Sequence, residues 1–282
     1  MVGARHGAEA RSDADPVLAA HLTELLQRRL RDAIGAERFN AQGRLIDWRS
    51  GLVAGVEPGP AAARLQAMGA RLARPDSAMT LALNSFLPWQ ERLPGLRLAG
   101  ADGFTELFFA TRCPTGARGT PPCVDLVALG PQQVIAGAVR VFDYLAPRRP
   151  ELSDAYRSLE APAGMQAWME LMRDGAGFRH VDVAGLAKLA IGLCRIFLDR
   201  RVRLLYLFLE PRQAEAPIFA AHRAEIARIA GLVADSAVGF AASSLHELWA
   251  GWCRHDTPPK VRAIAAELSR RYGVVMPRRG PL

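Results

Sequence analysis

The first ninety residues carry apolar positions at helical spacing. In the first such segment these positions are Leu18, Leu22, Leu25, Leu26 and Ala33. Intervals of three and four residues place side chains on one face of a helix, and Asp15 followed by Pro16 is typical of a helix start. Gly35 marks the end of this segment. Two further helices are predicted over about residues 60–72 and from residue 77 to just before residue 88.

The pattern then changes to short apolar runs rich in Val, Ile, Leu and Phe, which are typical of strands. Four strands are predicted, over residues 95–99, 104–111, 123–129 and 134–145. A loop rich in proline and glycine, residues 112–122, separates the second strand from the third. The Gly130-Pro131 turn predicts that the third and fourth strands form a hairpin.

Helices return in the second half of the chain. The predicted order is a helix over 182–198, a buried strand over 203–210, a helix over 217–233, a short strand over 237–241, and helices over 244–252 and 259–272. Ser244 and Glu247 form a capping box at the start of the penultimate helix, and this alone explains Glu247. The sequence predicts an α/β or α+β fold with a mixed sheet.

The composition is that of a folded intracellular protein. Half of the residues are hydrophobic, and 25 glycines and 19 prolines in 282 residues are too few for a low-complexity chain. Four cysteines without disulfide-scaffold spacing favour a reducing compartment. Residues 1–16 lack the apolar core of a signal peptide, and the longest apolar stretch, 186–198, includes two charges. We expect a cytoplasmic protein.

Four regions are predicted along the chain. They are a disordered N-terminus over 1–14, a helical region over 15–74, an α/β core over 75–254, and a basic C-terminal helix and tail over 255–282. The formal net charge is +8, and seven basic against two acidic residues fall between residues 254 and 282. Such a segment can contact phosphates, and Arg262, Arg270 and Arg271 are the candidate nucleic-acid-binding residues. The alternative is a solvated helix followed by a frayed tail.

Two acidic residues stand in predicted strands. Asp125 lies between Val124 and Leu126, and Glu106 lies among aromatic and aliphatic residues. An unpaired carboxylate would be costly to bury in either place. A buried ion pair with Arg140 is one interpretation of Asp125, and Glu106 can likewise pair with an arginine.

The predicted order α-β-β-β-α-β resembles the core of the PD-(D/E)xK nuclease superfamily, the restriction-endonuclease-like fold. The segment Ser77-Ala-Met-Thr-Leu-Ala-Leu-Asn84-Ser-Phe-Leu-Pro88 is similar to a Ser-Ser-Gln-Ala-Leu-x-x-Asn-x-Phe helix that opens some bacterial members. Asn84 has a simpler explanation, in which it caps or hydrogen-bonds the backbone. The resemblance covers roughly residues 75–254.

This resemblance implies Mg²⁺-dependent hydrolysis of a phosphodiester. In the superfamily an acidic residue on one strand and the Glu of an ExK motif on the next hold the metal, and the Lys stabilises developing charge. The resemblance assigns Asp125 and Glu106 as metal-binding acids and places the ExK motif on Ala138-Val139-Arg140. The Glu is absent there and Lys is replaced by Arg, which is never deprotonated. Glu106, Asp125 and Arg140 are the candidate catalytic residues.

No other residue restores the missing motif in a simple way. Asp143 is the nearest carboxylate, but on a regular strand it would point to the face opposite Ala138 unless a bulge intervened. The chain has only two lysines; Lys188 belongs to a solvated helical stripe, and Lys260 lies beyond the core.

Three hypotheses follow from the sequence. The first is a protein that binds DNA or RNA and has weakened or lost hydrolysis. The second is an active Mg²⁺-dependent DNA endonuclease in which Asp143 replaces the missing carboxylate. The third is a non-catalytic scaffold that binds a protein partner or a second copy of itself.

Overall fold

A computed structural model describes residues 15–59, 65–146 and 152–276. Five strands form one mixed sheet in the order β1-β2-β3-β4-β5. They are β1 (Glu106–Arg112), β2 (Cys123–Leu129), β3 (Gln133–Arg140), β4 (Arg201–Phe208) and β5 (Val238–Ser244). The pairs β1–β2 and β2–β3 are antiparallel, whereas β3–β4 and β4–β5 are parallel. The predicted α/β class with a mixed sheet is confirmed.

Helices surround this sheet. In the described residues they are α1 (Pro16–Ile34), α2 (Gly69–Leu72), α3 (Ala78–Phe86), α4 (Asp154–Arg157), α5 (Gln166–Asp174), α6 (Val183–Ile196), α7 (Pro217–Leu232), α8 (Leu245–Trp252) and α9 (Pro259–Tyr272). Helix α6 connects β3 to β4 and α7 connects β4 to β5, as parallel neighbours require. Within the described ranges, no helix combines the length and apolarity needed to cross a membrane.

The helix starts follow the capping residues of the sequence. Asp15 Oδ1 accepts the backbone N–H of Leu18 at 2.8 Å, and Ser77 and Asp182 cap α3 and α6 in the same way. The Ser244–Glu247 capping box is present at the start of α8. Each cap satisfies a backbone N–H that the helix itself leaves without a partner. These starts are therefore encoded locally.

The core is continuous from the first described helix to the last. Leu22 and Leu26 of α1 are fully buried, and Leu268 and Tyr272 of α9 belong to the same cluster. The three inner strands are buried on both faces, which is typical of strands in a covered sheet. The sheet is thus held rigidly between its helices.

Several predicted boundaries are wrong. Residues 95–99 form no strand, because a 3-10 segment, Leu87–Gly95, leads into a tight turn closed by an isolated bridge between Leu98 and Ala101. Strand β3 ends at Arg140 rather than at residue 145, and Asp143–Leu145 is a 3-10 turn. The predictions for residues 1–14, for 60–64 and for the part of the basic tail over 277–282 lie outside the described residues.

Candidate functional site

The candidate site lies where β2 diverges from β3. The paired residues of these two strands run from Leu129–Val134 to Leu126–Gly137, and the pairing stops there. The next residue of β2 is Asp125, whose Oδ2 accepts the backbone N–H of Val139 at 2.8 Å. A carboxylate therefore takes the place that a strand carbonyl would otherwise fill.

The carboxylate of Asp143 accepts a second backbone N–H beside that of Val139. Its Oδ1 accepts the N–H of Val141, two residues beyond Val139, at 3.2 Å. In a strand, the N–H groups of alternate residues point to the same side. The carbonyl of Arg140 points to β4, where it accepts the N–H of Leu209 at 2.8 Å, and the N–H groups of the residues on either side of Arg140 point the other way. The N–H groups of Val139 and Val141 consequently both point toward the departing β2.

The expectation that Asp143 points away from Asp125 is wrong. It assumed a regular strand as far as Asp143, but β3 ends at Arg140 and the chain bends at Val141 and Phe142 into the 3-10 turn. The turn returns the carboxylate to Arg140 without a bulge. Asp125 and Asp143 therefore belong to one cluster.

Arg140 lies between the two carboxylates. Its Nε is 3.5 Å from Asp143 Oδ2, and its Nη1 is 4.0 Å from Asp125 Oδ2. The same Nη1 donates to the carbonyl of Val139 at 2.8 Å, so the guanidinium does not form a two-bond fork with Asp125. Burial alone would lower the pKa of Arg140, but Asp143 and Asp125 outweigh this effect and raise it. The arginine is a fixed positive charge.

Burial makes the charged form of Asp125 less favourable than it is in water. Only 18% of its side chain is exposed. Burial raises the pKa of Asp125, and neither Arg140 nor the N–H of Val139 compensates fully. Loss of hydration is the ordinary reason for such a shift.

A divalent cation does not fit this arrangement. The guanidinium of Arg140 faces both Asp125 and Asp143, so a metal ion between them would lie against a permanent positive charge. Within the described ranges, no three His, Cys, Asp or Glu side chains come close enough to share a metal ion.

A buried aromatic group continues the site on the same face of the sheet. Tyr206 is in register with Ala138 on β3 and is 1% exposed. Its hydroxyl is 3.1 Å from Nε2 of His222 on α7, and the ring of Tyr144 stacks on this histidine with 4.0 Å between ring centroids. Burial lowers the pKa of His222 to about 3, so the imidazole is neutral at pH 7. His222 is therefore a buried core histidine.

Glu225 fixes the loop that precedes α6, a role that was not predicted. Its carboxylate accepts the backbone N–H groups of Arg179, His180 and Val181 at 2.6, 2.8 and 2.9 Å. The next residue, Asp182, caps α6 and lies close enough to Arg140 to contribute to its electrostatic environment. Glu225 therefore positions the start of α6 beside the site.

Glu106 lies outside the Asp125–Arg140–Asp143 cluster. Asp125 falls opposite Ala110, between the pairs Phe109–Leu126 and Thr111–Val124. Glu106 begins β1, four residues earlier, so about 14 Å separates the two positions along the strand. Glu106 is also exposed rather than buried among aromatic residues.

The C-terminal arginines differ from one another. Arg271 is largely buried: its side chain is only 9% exposed, and its Nε donates to Glu267 at 2.6 Å. Arg270 also pairs with Glu267, at 2.7 Å, but its side chain is 58% exposed. Arg262 is half-buried. Of the three candidates, Arg270 is the most accessible.

Asn84 hydrogen-bonds the backbone, which is the simpler of the two explanations given for it above. It is fully buried; its Oδ1 accepts the N–H of Val53 at 2.7 Å, and its Nδ2 donates to the carbonyl of Gly51 at 3.0 Å. The side chain therefore holds the 51–53 loop against α3.

Comparison with known proteins identifies no relative of this chain. No protein-family model, no curated protein and no solved structure matches this chain.

Proposed function

We propose that this chain is a cytoplasmic protein with a restriction-endonuclease-like core that binds nucleic acid and has weakened or lost hydrolysis of phosphodiesters. The observation that carries the proposal is the position of Arg140 between Asp125 and Asp143. Arginine occupies the place where the resemblance expects lysine, and its charge is directed at the carboxylates that would otherwise bind a metal.

The chemistry of the three side chains argues against cleavage. Each carboxylate already accepts a backbone N–H of β3, from Val139 or Val141. A guanidinium always carries its charge and cannot supply or remove a proton at neutral pH. The cluster can therefore stabilise the strand ends without a step that breaks a phosphodiester.

The charge of the chain supports a polyanionic partner. The net charge is +8 and the sequence pI is about 10.0, and a basic surface binds nucleic acid largely through counterion release. Arg270 and Arg262 are candidate contacts on α9, with Arg271 removed from the set by its burial.

An active endonuclease is the second candidate, and one observation favours it. Asp143 returns to the same side of β3 as Asp125, which is what replacement of the missing motif carboxylate requires. This activity would require Arg140 to leave its position between the two acids.

Binding and cleavage assays separate these candidates. We expect the full chain to bind fluorescent duplex DNA or RNA with an affinity that falls as salt rises, and to release no cleavage product with Mg²⁺ or Mn²⁺. Metal-dependent cleavage that is lost in Asp125→Asn would establish the nuclease instead. Absence of binding at low salt to every DNA and RNA probe would overturn the proposal and favour the scaffold, whose protein partner or homo-oligomer would then be sought.

A further inference from the structure

The loop between β1 and β2, residues 113–122, lies against α6 and is surrounded by positive charge. A methyl group added to Gly192 of α6 would lie 2.4 Å from the carbonyl oxygen of Cys113. The absence of a side chain at position 192 therefore permits this close contact. The base of the loop is consequently fixed on the helix.

Two further contacts order the loop. Thr115 is 2% exposed, and its hydroxyl lies 3.3 Å from the hydroxyl of Tyr156. Gly116 has a φ of +86°, and the guanidinium carbon of Arg195 lies 3.1 Å from the position of an added methyl group. Arg195 therefore lies directly on the loop, which only glycine at position 116 allows without displacement.

Four basic residues lie in this loop or on the two elements beside it, and we call them the loop cations. They are Arg112 at the end of β1, Arg118 in the loop, and Lys188 and Arg195 on α6. The Nζ of Lys188 is 4.3 Å from the ring centre of Tyr156, which itself contacts the loop. Arg112, Arg118 and Arg195 are exposed.

The loop cations have no carboxylate partner in the part of the chain that the structure describes. None of the four has an Asp or Glu oxygen within 4.0 Å there. Arg270, by contrast, shares the carboxylate of Glu267 with Arg271. The charges of the loop cations are therefore available to a partner, whereas that of Arg270 is already balanced by a carboxylate.

The spacing of the loop cations indicates a polymer rather than one anion. Lys188 and Arg195 are seven residues apart on α6, which is about 10 Å along the helix axis. Together with Arg112 and Arg118 these side chains carry more positive charge than one phosphate balances, and side chains based this far apart can contact successive phosphates of a chain. The loop also lies beside the candidate site, because Arg112 pairs with Cys123, two residues before Asp125.

We infer that the loop cations hold the phosphodiester backbone of the nucleic acid, beside the Asp125–Arg140–Asp143 cluster. This inference rests on the proposed function, but it names a different surface from the C-terminal helix. Because it uses charge and no base contact, the affinity is governed by the phosphates rather than by sequence.

Three variants of the full chain, each lacking four positive charges, test the assignment. The first replaces Arg112, Arg118, Lys188 and Arg195 by Gln. The matched control replaces Arg97, Arg200, Arg201 and Arg203, which lie at the opposite end of the sheet, where Arg201 begins β4. The third replaces Arg254, Lys260, Arg262 and Arg270. Binding of a 20-base-pair DNA duplex and of the equivalent RNA duplex is measured by anisotropy at several salt concentrations.

We expect the loop variant to bind the preferred duplex at least tenfold more weakly than the wild type. The magnitude of its slope of log affinity against log salt should fall by about 3.6 for duplex DNA, since each of the four phosphate contacts contributes about 0.9. The control should change affinity by less than threefold. Two double variants should each show part of this loss of affinity: Arg112→Gln with Arg118→Gln, and Lys188→Gln with Arg195→Gln. They keep the experiment interpretable if the quadruple variant does not fold.

The result that overturns the inference differs from the one that overturns the proposed function. If the wild type binds and the loop variants bind equally well, while the C-terminal variant loses affinity, the loop is not the contact surface although the protein binds nucleic acid. If the wild type binds neither duplex at any salt concentration, both proposals fail.

Discussion

The carboxylate of Asp125 accepts the backbone N–H of Val139 at the point where β2 and β3 separate. This contact joins the two strands beyond the last backbone pair and places a negative charge 4.0 Å from Arg140. The two functions of the side chain, hydrogen-bond acceptor and counter-ion, can be separated by substitution.

Asp125→Asn and Asp125→Ala should therefore differ in stability. Asparagine keeps an oxygen that can accept the N–H of Val139 and removes a charge whose burial raises the pKa of Asp125, so we expect the free energy of unfolding to change by less than about 1 kcal/mol. Alanine also leaves a buried N–H without a partner, and about 3 kcal/mol is expected. Urea denaturation at pH 7 measures both values. Equal losses would show that the charge, not the hydrogen bond, dominates.

Removal of Arg140 should make stability depend more strongly on pH. In Arg140→Gln the carboxylates of Asp125 and Asp143 lose the cation between them, so the pKa of Asp125, already raised by burial, rises further. A raised folded-state pKa means that the folded protein binds more protons than the unfolded chain. Stability is then highest below the ordinary pKa of 3.8 and is lost as pH rises through the folded-state value.

The measurement is the free energy of unfolding of Arg140→Gln relative to that of the wild type, from pH 4 to pH 8. We expect the variant to be less stable than the wild type and this deficit to grow toward high pH. Arg140→Lys, which keeps the charge, is the control and should show a smaller slope. A deficit that stays constant across the range would contradict the electrostatic explanation.

Glu225 should be needed to hold the loop before α6. Glu225→Ala removes the acceptor for three backbone N–H groups, those of Arg179, His180 and Val181. We expect a loss of about 2 to 3 kcal/mol in unfolding free energy and faster amide exchange at these residues. Hydrogen exchange distinguishes this local effect from a general loss of stability, because amides in β4 should be protected in proportion to the global change alone.

The sequence predicts what local pattern determines. The strands β1 and β2, the hairpin between β2 and β3, and the helices α6 to α9 follow from periodicity and turn residues, and the capping residues mark helix starts. The 95–99 strand was wrong because its apolar residues pack beside a tight turn rather than in the sheet. Apolar character alone does not distinguish these environments.

The candidate site was only partly predictable, because its geometry depends on where strands end. Asp125 and Arg140 stand on adjacent strands, and their proximity follows from the hairpin. Asp143 lies close to Arg140 because β3 ends at Arg140 and the chain then turns. Glu225 holds the loop before α6 through contacts with residues about 45 positions away in the sequence. Neither feature has a signal in the local sequence.

Glu267 provides a prediction outside the site. It accepts hydrogen bonds from Arg270 and Arg271, and these bonds, with that from Arg270 the strongest influence, lower the pKa of Glu267 to about 2. A carboxyl group with a lowered folded-state pKa contributes stability above its ordinary value of 4.5. This contribution is lost as pH falls through about 2.

Glu267→Gln should accordingly lower the free energy of unfolding by about 1 kcal/mol at pH 7, a value reduced by solvent screening of the partly exposed pair. The deficit should shrink as the pH falls from 4.5 to about 2, because the unfolded wild-type chain binds a proton at Glu267 over this range while the folded protein does not. Glu24→Gln is the matched control: Glu24 pairs with Arg28 four residues away, but both side chains are more than half exposed, so little change is expected. Similar deficits in the two variants would show that burial of Arg271 adds nothing to the Glu267 pair.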